Sequence, residues 1–173
     1  MKKRIVLFFA IVALLTVCAL GVNAEIVSGD CGANGDNVTW EFDTESGVLT
    51  ISGKGEMENY YLNNTASQPR SPWYYISFTY DITKVIINNG VTSIGNYAFS
   101  DCSQMTSVSL PDTLLSIGYE AFSQCTQLTH LELPNNLTYI GRCAFNECTN
   151  LKSISFPESL KTIENAAFRK CES

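Results

Sequence analysis

Charge is scarce in this sequence. Only 16% of its 173 residues are Asp, Glu, Lys or Arg, and 45% are hydrophobic. That balance excludes a long disordered tail, which needs high charge and little apolar content. Basic residues are the scarcer sign, 11 against 17 acidic, for a formal charge of −6. Nucleic acid is excluded as a partner, because phosphate binding needs clustered Lys and Arg. There is one histidine, His130. No second His or Cys is placed to make it a base or a ligand, so a solvated surface residue is expected. No serine lies in a nucleophile elbow, no phosphate loop is present, and no paired carboxylates recur outside turns. The reading is therefore of a protein that is not an enzyme, with no catalytic residue, metal or cofactor.

Long apolar runs are also lacking, with one exception. Ile5 to Val22 is almost wholly apolar, follows Lys2-Lys3-Arg4, and precedes the small-residue site Val22-Asn23-Ala24. That is the layout of a secretory signal peptide over 1–24. An uncleaved anchor is the alternative, since 18 apolar residues barely span a bilayer. Cleavage would remove three basic and no acidic residues, taking the charge from −6 to −9. It would also remove Cys18 and leave six cysteines.

What the second half does have is a repeat. Residues 85–107, 108–130, 131–153 and 154–173 align at a period of 23 without a gap. Val85, Val108, Leu131 and Ile154 share one apolar slot. Ile87, Leu110, Leu133 and Phe156 share another, two residues on. Alternation by two predicts a short strand with one buried face, ended in three repeats by Pro111, Pro134 and Pro157. Val91, Leu114, Leu137 and Leu160 follow, then Ile94, Ile117, Ile140 and Ile163. Gly95, Gly118 and Gly141 are read as permitting a tight turn, and Glu164 breaks that pattern. Phe99, Phe122, Phe145 and Phe168 come next, then Cys102, Cys125, Cys148 and Cys171, then Met105, Leu128 and Leu151. Spacings of three predict a short helix or 3-10 turn on the return side. No such unit can bury its apolar face alone, so neighbours must stack into an α/β solenoid.

The run SIGxxAFSxCxxLxxLxLPxxL resembles the BspA-like leucine-rich repeat family of surface and secreted proteins. Residues 31–57, CGANGDNVTWEFDTESGVLTISGKGEM, resemble the β-rich leader of secreted bacterial members. The resemblance implies adhesion to extracellular proteins or to other cells. The expected layout is a signal peptide (1–24), a β-rich cap (25–58), a loop with a degenerate half-repeat (59–84) and repeats over 85–173. The last repeat has 20 of its 23 residues and no polar cap follows, so a fragment of a longer chain is expected.

In the cap, Val38, Trp40 and Phe42 alternate opposite Leu49 and Ile51, predicting a hairpin turning at 44–47. Counting back 23 from Phe99 and Met105 reaches Ile76 and Ile82, which predicts the return side of a repeat without its strand. The aspartates of the cap suit turns better than a calcium loop. The cysteine ladder is expected to be free thiols packed as small hydrophobes, because equivalent Cβ vectors do not converge for bridging. Cys143 is expected to be exposed, and Cys31 and Cys143 to be unbridged.

Two surfaces remain as candidates for a partner. One is the outward strand stripe with Ile86, Ser109, His130, Glu132 and Ser155. The other is the variable turn with Tyr97, Tyr119 and Arg142. The reading is a secreted or cell-surface protein that binds an extracellular protein or cell-surface ligand. Its alternative is a structural or accessory segment of a larger envelope protein or secreted hydrolase.

Overall fold

The computed structural model describes residues 25–62, 70–74, 81–152 and 154–171. The segment 1–24 expected to be a leader, Ile76 and Ser153 lie outside them.

The cap begins with β1 (Ile26–Gly32), β2 (Gly35–Asp43) and β3 (Val48–Gly53), joined antiparallel. Val38, Trp40 and Phe42 are buried on one face, with Leu49 and Ile51. The β2–β3 turn is tied by Asp43, whose carboxylate accepts from Ser46 Oγ at 2.7 Å and from the Glu45 N–H at 2.9 Å. Those bonds hold its pKa below the usual carboxylate value. Asp43 thus has the turn role that the sequence assigned it.

The hairpin does more than cover an end. β3 pairs in parallel with β5 (Lys84–Ile87), with Leu49 beside Val85 and Ile51 beside Ile87. The short β4 (Gly55–Glu56) pairs in parallel with β6 (Val91–Ile94). The cap therefore supplies both strand positions of a repeat lying ahead of the first regular one. The expected half-repeat without a strand is corrected: its strand is β3. Leu49 to Val85 is a step of 36 residues where Val85 to Val108 is 23, so a fixed period could not find it.

The first two regular repeats each contribute to two sheets where one strand was expected. The first sheet runs β1-β2-β3-β5-β7, with β7 at Ser107–Ser109. The second runs β4-β6-β8-β9-β10, with β8 at Ser116–Ile117, β9 at Tyr139–Ile140 and β10 at Thr162–Ile163. In repeats three and four the first column thins to a bridge at His130 and a Lys152 N–H to Thr129 carbonyl bond. Pro111, Pro134 and Pro157 each open a turn between the columns, their carbonyls accepting from Leu114, Leu137 and Leu160.

The return side holds no helix and no 3-10 element among the described residues. That part of the α/β expectation is corrected, and the hydrogen bonds give the reason. The N–H groups of Tyr97, Phe99 and Asp101 donate to Tyr119, Ala121 and Ser123 carbonyls of the next repeat. The same pattern joins repeats two and three, and three and four. Alternate amides aimed at a neighbour cannot also close helical rings. Two residues per repeat take left-handed backbone, Tyr97 and Asp101 with φ of 54° and 63° and their equivalents through Ala166 and Lys170. This third ladder binds the repeats as the two sheets do.

The stacked glycines also act differently from expectation. Gly95, Gly118 and Gly141 do not have positive φ. A Cβ on Gly118 would lie 2.8 Å from Asn96 N and 2.9 Å from Gly95 C, and one on Gly141 would lie 2.7 Å from Gly118 C. They are needed for close approach of neighbouring backbones. Gly118→Ala should cost about 1–3 kcal/mol, the range for an overpacked core. Urea denaturation would show this as a lower midpoint at unchanged slope.

The core is one cluster running from Cys31 to Ala167. Phe99, Phe122, Phe145 and Phe168 stack in a column at centroid spacings of 5.1–5.2 Å. Trp73 extends it, stacked on Phe99 at 5.3 Å, so this ring continues the ladder ahead of the regular repeats. Phe156 and Ile163 are exposed in the fourth repeat, where no described residue stacks beyond them.

Candidate protein-binding surface

The interior explains what is left over for function. Cys102, Cys125 and Cys148 are buried, Cys171 is half-buried, and all are free thiols, as are Cys31 and Cys143. Cys125, Cys148 and Cys171 donate Sγ–H to the carbonyls of Phe99, Phe122 and Phe145 at 3.1–3.2 Å. The Phe99 and Phe122 carbonyls also take the N–H of Cys102 and Cys125. A thiol fits this slot because it fills apolar volume and still satisfies a carbonyl of the preceding repeat.

Burial pushes the Cys102 and Cys31 thiols up to about 12 and Cys171 to about 11. Cys125 is raised by burial as well. Unfolded thiols ionise near 9, so between pH 9 and 12 the unfolded chain binds fewer protons than the folded one. Stability should be full below about pH 9 and should fall as pH rises toward 12. Thermal unfolding from pH 7 to 10.5 would show it. Alkylation at pH 8 should spare the ladder in native protein and label it in denaturant, because the thiolate is the nucleophile. Cys143 is half-buried, not exposed as expected, because its left-handed residue (φ 55°) folds into the return-side ladder.

On the strand side, Ile86 is half-buried and Ser109, Glu132 and Ser155 are exposed. Ile86 and Ser109 are register partners on β5 and β7. They line an open groove of about 510 Å³ with Asn88, Asn89, Leu110 and Asp112. His130 is exposed, and its Nε2 lies 3.3 Å from Glu132 Oε1. The structure thus brings Ile86 to Ser109 and His130 to Glu132. Among the described residues no group of three His, Cys, Asp or Glu is placed to hold a metal ion.

On the return side, the rings of Tyr97 and Tyr119 meet edge to face at 5.1 Å. Hydrogen bonding to Glu120 and then to Tyr97 raises the Tyr119 hydroxyl, whereas burial raises Tyr97. Arg142 is exposed in the next repeat, with no aromatic beside it in its turn. Further along the turn, Lys170 and Glu147 pair at 2.6 Å between repeats, which lowers the Glu147 carboxyl. Sequence reasoning missed the left-handed residues, because nothing in Tyr, Glu, Gln or Lys marks positive φ.

Residues 74–173 match the family described as the BspA type leucine rich repeat region, in six copies. The chain belongs to this family. The BspA-type repeats here have solved counterparts in bacteria. A leucine-rich repeat protein from Eubacterium ventriosum is 27% identical with a TM-score of 0.61, covering 85% of this chain and 42% of its own. One from Bacteroides ovatus is 31% identical with a TM-score of 0.56, covering 72% of this chain and 34% of its own. The Treponema pallidum leucine rich repeat protein, 24% identical with a TM-score of 0.55, shares the fold over 76% of this chain and 64% of its own. The chain thus spans less than two thirds of the length of these proteins. No curated protein sequence matches it significantly. Among the described residues, no helix is long and apolar enough to cross a membrane.

Proposed function

We propose that this chain is a non-enzymatic protein, secreted or displayed at the cell surface, that binds an extracellular protein through side chains projecting from its repeats. Membership of a repeat family that serves protein binding supports the general class. The single observation that carries the reading is the contrast between slots. Inward positions repeat the same residue, as in the phenylalanine and cysteine columns, while neighbouring outward positions differ: Ile86, Ser109, Glu132, Ser155. Specificity on a repeat scaffold must come from slots that vary. Arg142 and the Tyr97–Tyr119 pair vary in the same way on the return side. Residues 1–24 serve as the export signal, 25–58 as the cap and 85–173 as the repeats.

The chain should be produced with its leader in a bacterial host. The released protein should begin near Glu25 by mass spectrometry. It should then bind at least one extracellular matrix or cell-surface protein on an array, and Ser109→Arg or Glu132→Arg should weaken that binding about tenfold, near 1.4 kcal/mol. Binding to no protein above background would defeat the reading.

A further inference from the structure

Tyrosine is unevenly placed on this molecule. Tyr61 is 36% exposed and Leu62 is 44% exposed where the chain leaves the cap. Beside them lies a shallow surface cleft with room for about one water, whose walls include Tyr61, Leu62, Arg70, Tyr74, Tyr97 and Asp101. Tyr119 continues the aromatic surface by packing edge to face on Tyr97. The equivalent turns of repeats three and four hold Arg142-Cys143 and Asn165-Ala166, with no ring. Among the described residues of the return side, the aromatic surface is therefore confined to the junction of the cap and the first two repeats. The strand side has a different chemistry, with Asn88, Asn89, Ser109 and Asp112 beside aliphatic residues in its groove.

Arg70 lies with its guanidinium carbon 3.9 Å from the Tyr74 ring centroid, so a guanidinium already rests on one of these rings. Asp101 lies in the same cleft and feels the charge of Arg70. Glu120 follows Tyr119 in the chain, and its carboxylate raises the Tyr119 hydroxyl. Around this corner the ring faces and the carboxylates of Asp101 and Glu120 outnumber the one cation of the cleft lining, Arg70, on a chain of formal charge −6. Tyr and Arg are the residues that most often anchor protein interfaces, and ring faces attract planar cations. An acidic surface also steers a cationic partner toward it.

We propose that Tyr61, Tyr97 and Tyr119, with Asp101 and Glu120, form a docking surface for a protein segment that presents arginine side chains. The partner's guanidinium groups lie on the tyrosine faces as Arg70 lies on Tyr74, and the carboxylates take their N–H donors. This rests on the protein-binding reading above and names one surface and one partner chemistry for it.

The test uses the full exported chain and a fluorescein-labelled peptide of six Gly-Arg repeats at 150 mM salt. Peptides of six Gly-Lys and six Gly-Glu repeats serve as comparisons. The Gly-Arg peptide should bind tightest and the Gly-Glu peptide not at all. Tyr61→Ala and Tyr119→Ala should each weaken Gly-Arg binding at least fivefold. Neither changes the charge of the protein. Tyr119→Phe, which keeps the ring, should bind within twofold of native. So should Tyr139→Ala and Glu158→Gln, which alter an exposed tyrosine and a carboxylate elsewhere. Each variant should first show native circular dichroism. If both alanine variants bind like the native protein, attraction is only by net charge and the surface is wrong. A Gly-Glu peptide binding as well as Gly-Arg would overturn it equally. An extracellular protein that binds but is indifferent to Tyr61→Ala and Tyr119→Ala would leave the protein-binding reading standing and remove this inference alone.

Discussion

Phe122→Ala should destabilise the protein by roughly 3–5 kcal/mol, the cost of removing a large ring from a closed core. Phe122 is fully buried, and its ring is stacked on Phe99 at 5.1 Å and on Phe145 at 5.2 Å. Its stacked neighbours Phe99 and Phe145 are each held in their own repeat by the return-side ladder. At about 2–4 °C per kcal/mol for a chain of this size, the unfolding temperature should fall by roughly 6–20 °C. Phe168→Ala removes the same ring from the half-buried end of the column. Its cost should be only about 1–2 kcal/mol, because less area leaves water. Equal losses for the two variants would show that the column does not act as a stack. Thermal unfolding followed by circular dichroism separates the cases.

Trp73→Ala should cost a similar roughly 3–5 kcal/mol, although Trp73 lies outside the regular repeats. Its ring stacks on Phe99 at 5.3 Å and meets Trp40 and Tyr60 edge to face at 6.1 and 5.8 Å. Its Nε1–H donates to the Ala98 carbonyl at 2.7 Å. One side chain thus ties the cap to the first regular repeat by packing and by a buried hydrogen bond. Trp73→Phe keeps a ring but strands the Ala98 carbonyl, and should cost about 1–3 kcal/mol. If the cap were an independent unit, Trp73→Ala would split unfolding into two transitions. A single, earlier transition is expected.

The sequence made the repeat legible because burial slots recur at fixed intervals. The inward columns of Val85, Ile94, Phe99 and Cys102, and the free state of the thiols, follow from that spacing alone. Three features did not. The second strand column has only two ladder residues in most repeats, too few to leave a pattern of alternation. The return side shows a spacing of three that suits a helix, but left-handed residues such as Tyr97 and Asp101 turn its amides toward the next repeat. The cap's place as the leading repeat was hidden by thirteen additional residues between Leu49 and Val85. Of the candidate surface, the outward slots were readable from alternation. The meeting of Tyr61, Tyr74 and Tyr97 was not, since it depends on how that additional segment returns to the repeats.

The frame is one stacked unit from β3 onward, and the proposed tyrosine surface spans its first junction. Native-state amide hydrogen exchange across a denaturant series tests this most directly. The amides of Leu49 and Ile51 in the hairpin should open with the same free energy as those of Val85, Ile87 and Val108 in the repeats. Hairpin amides that exchange at a markedly lower free energy, while the repeat amides stay protected, would contradict it.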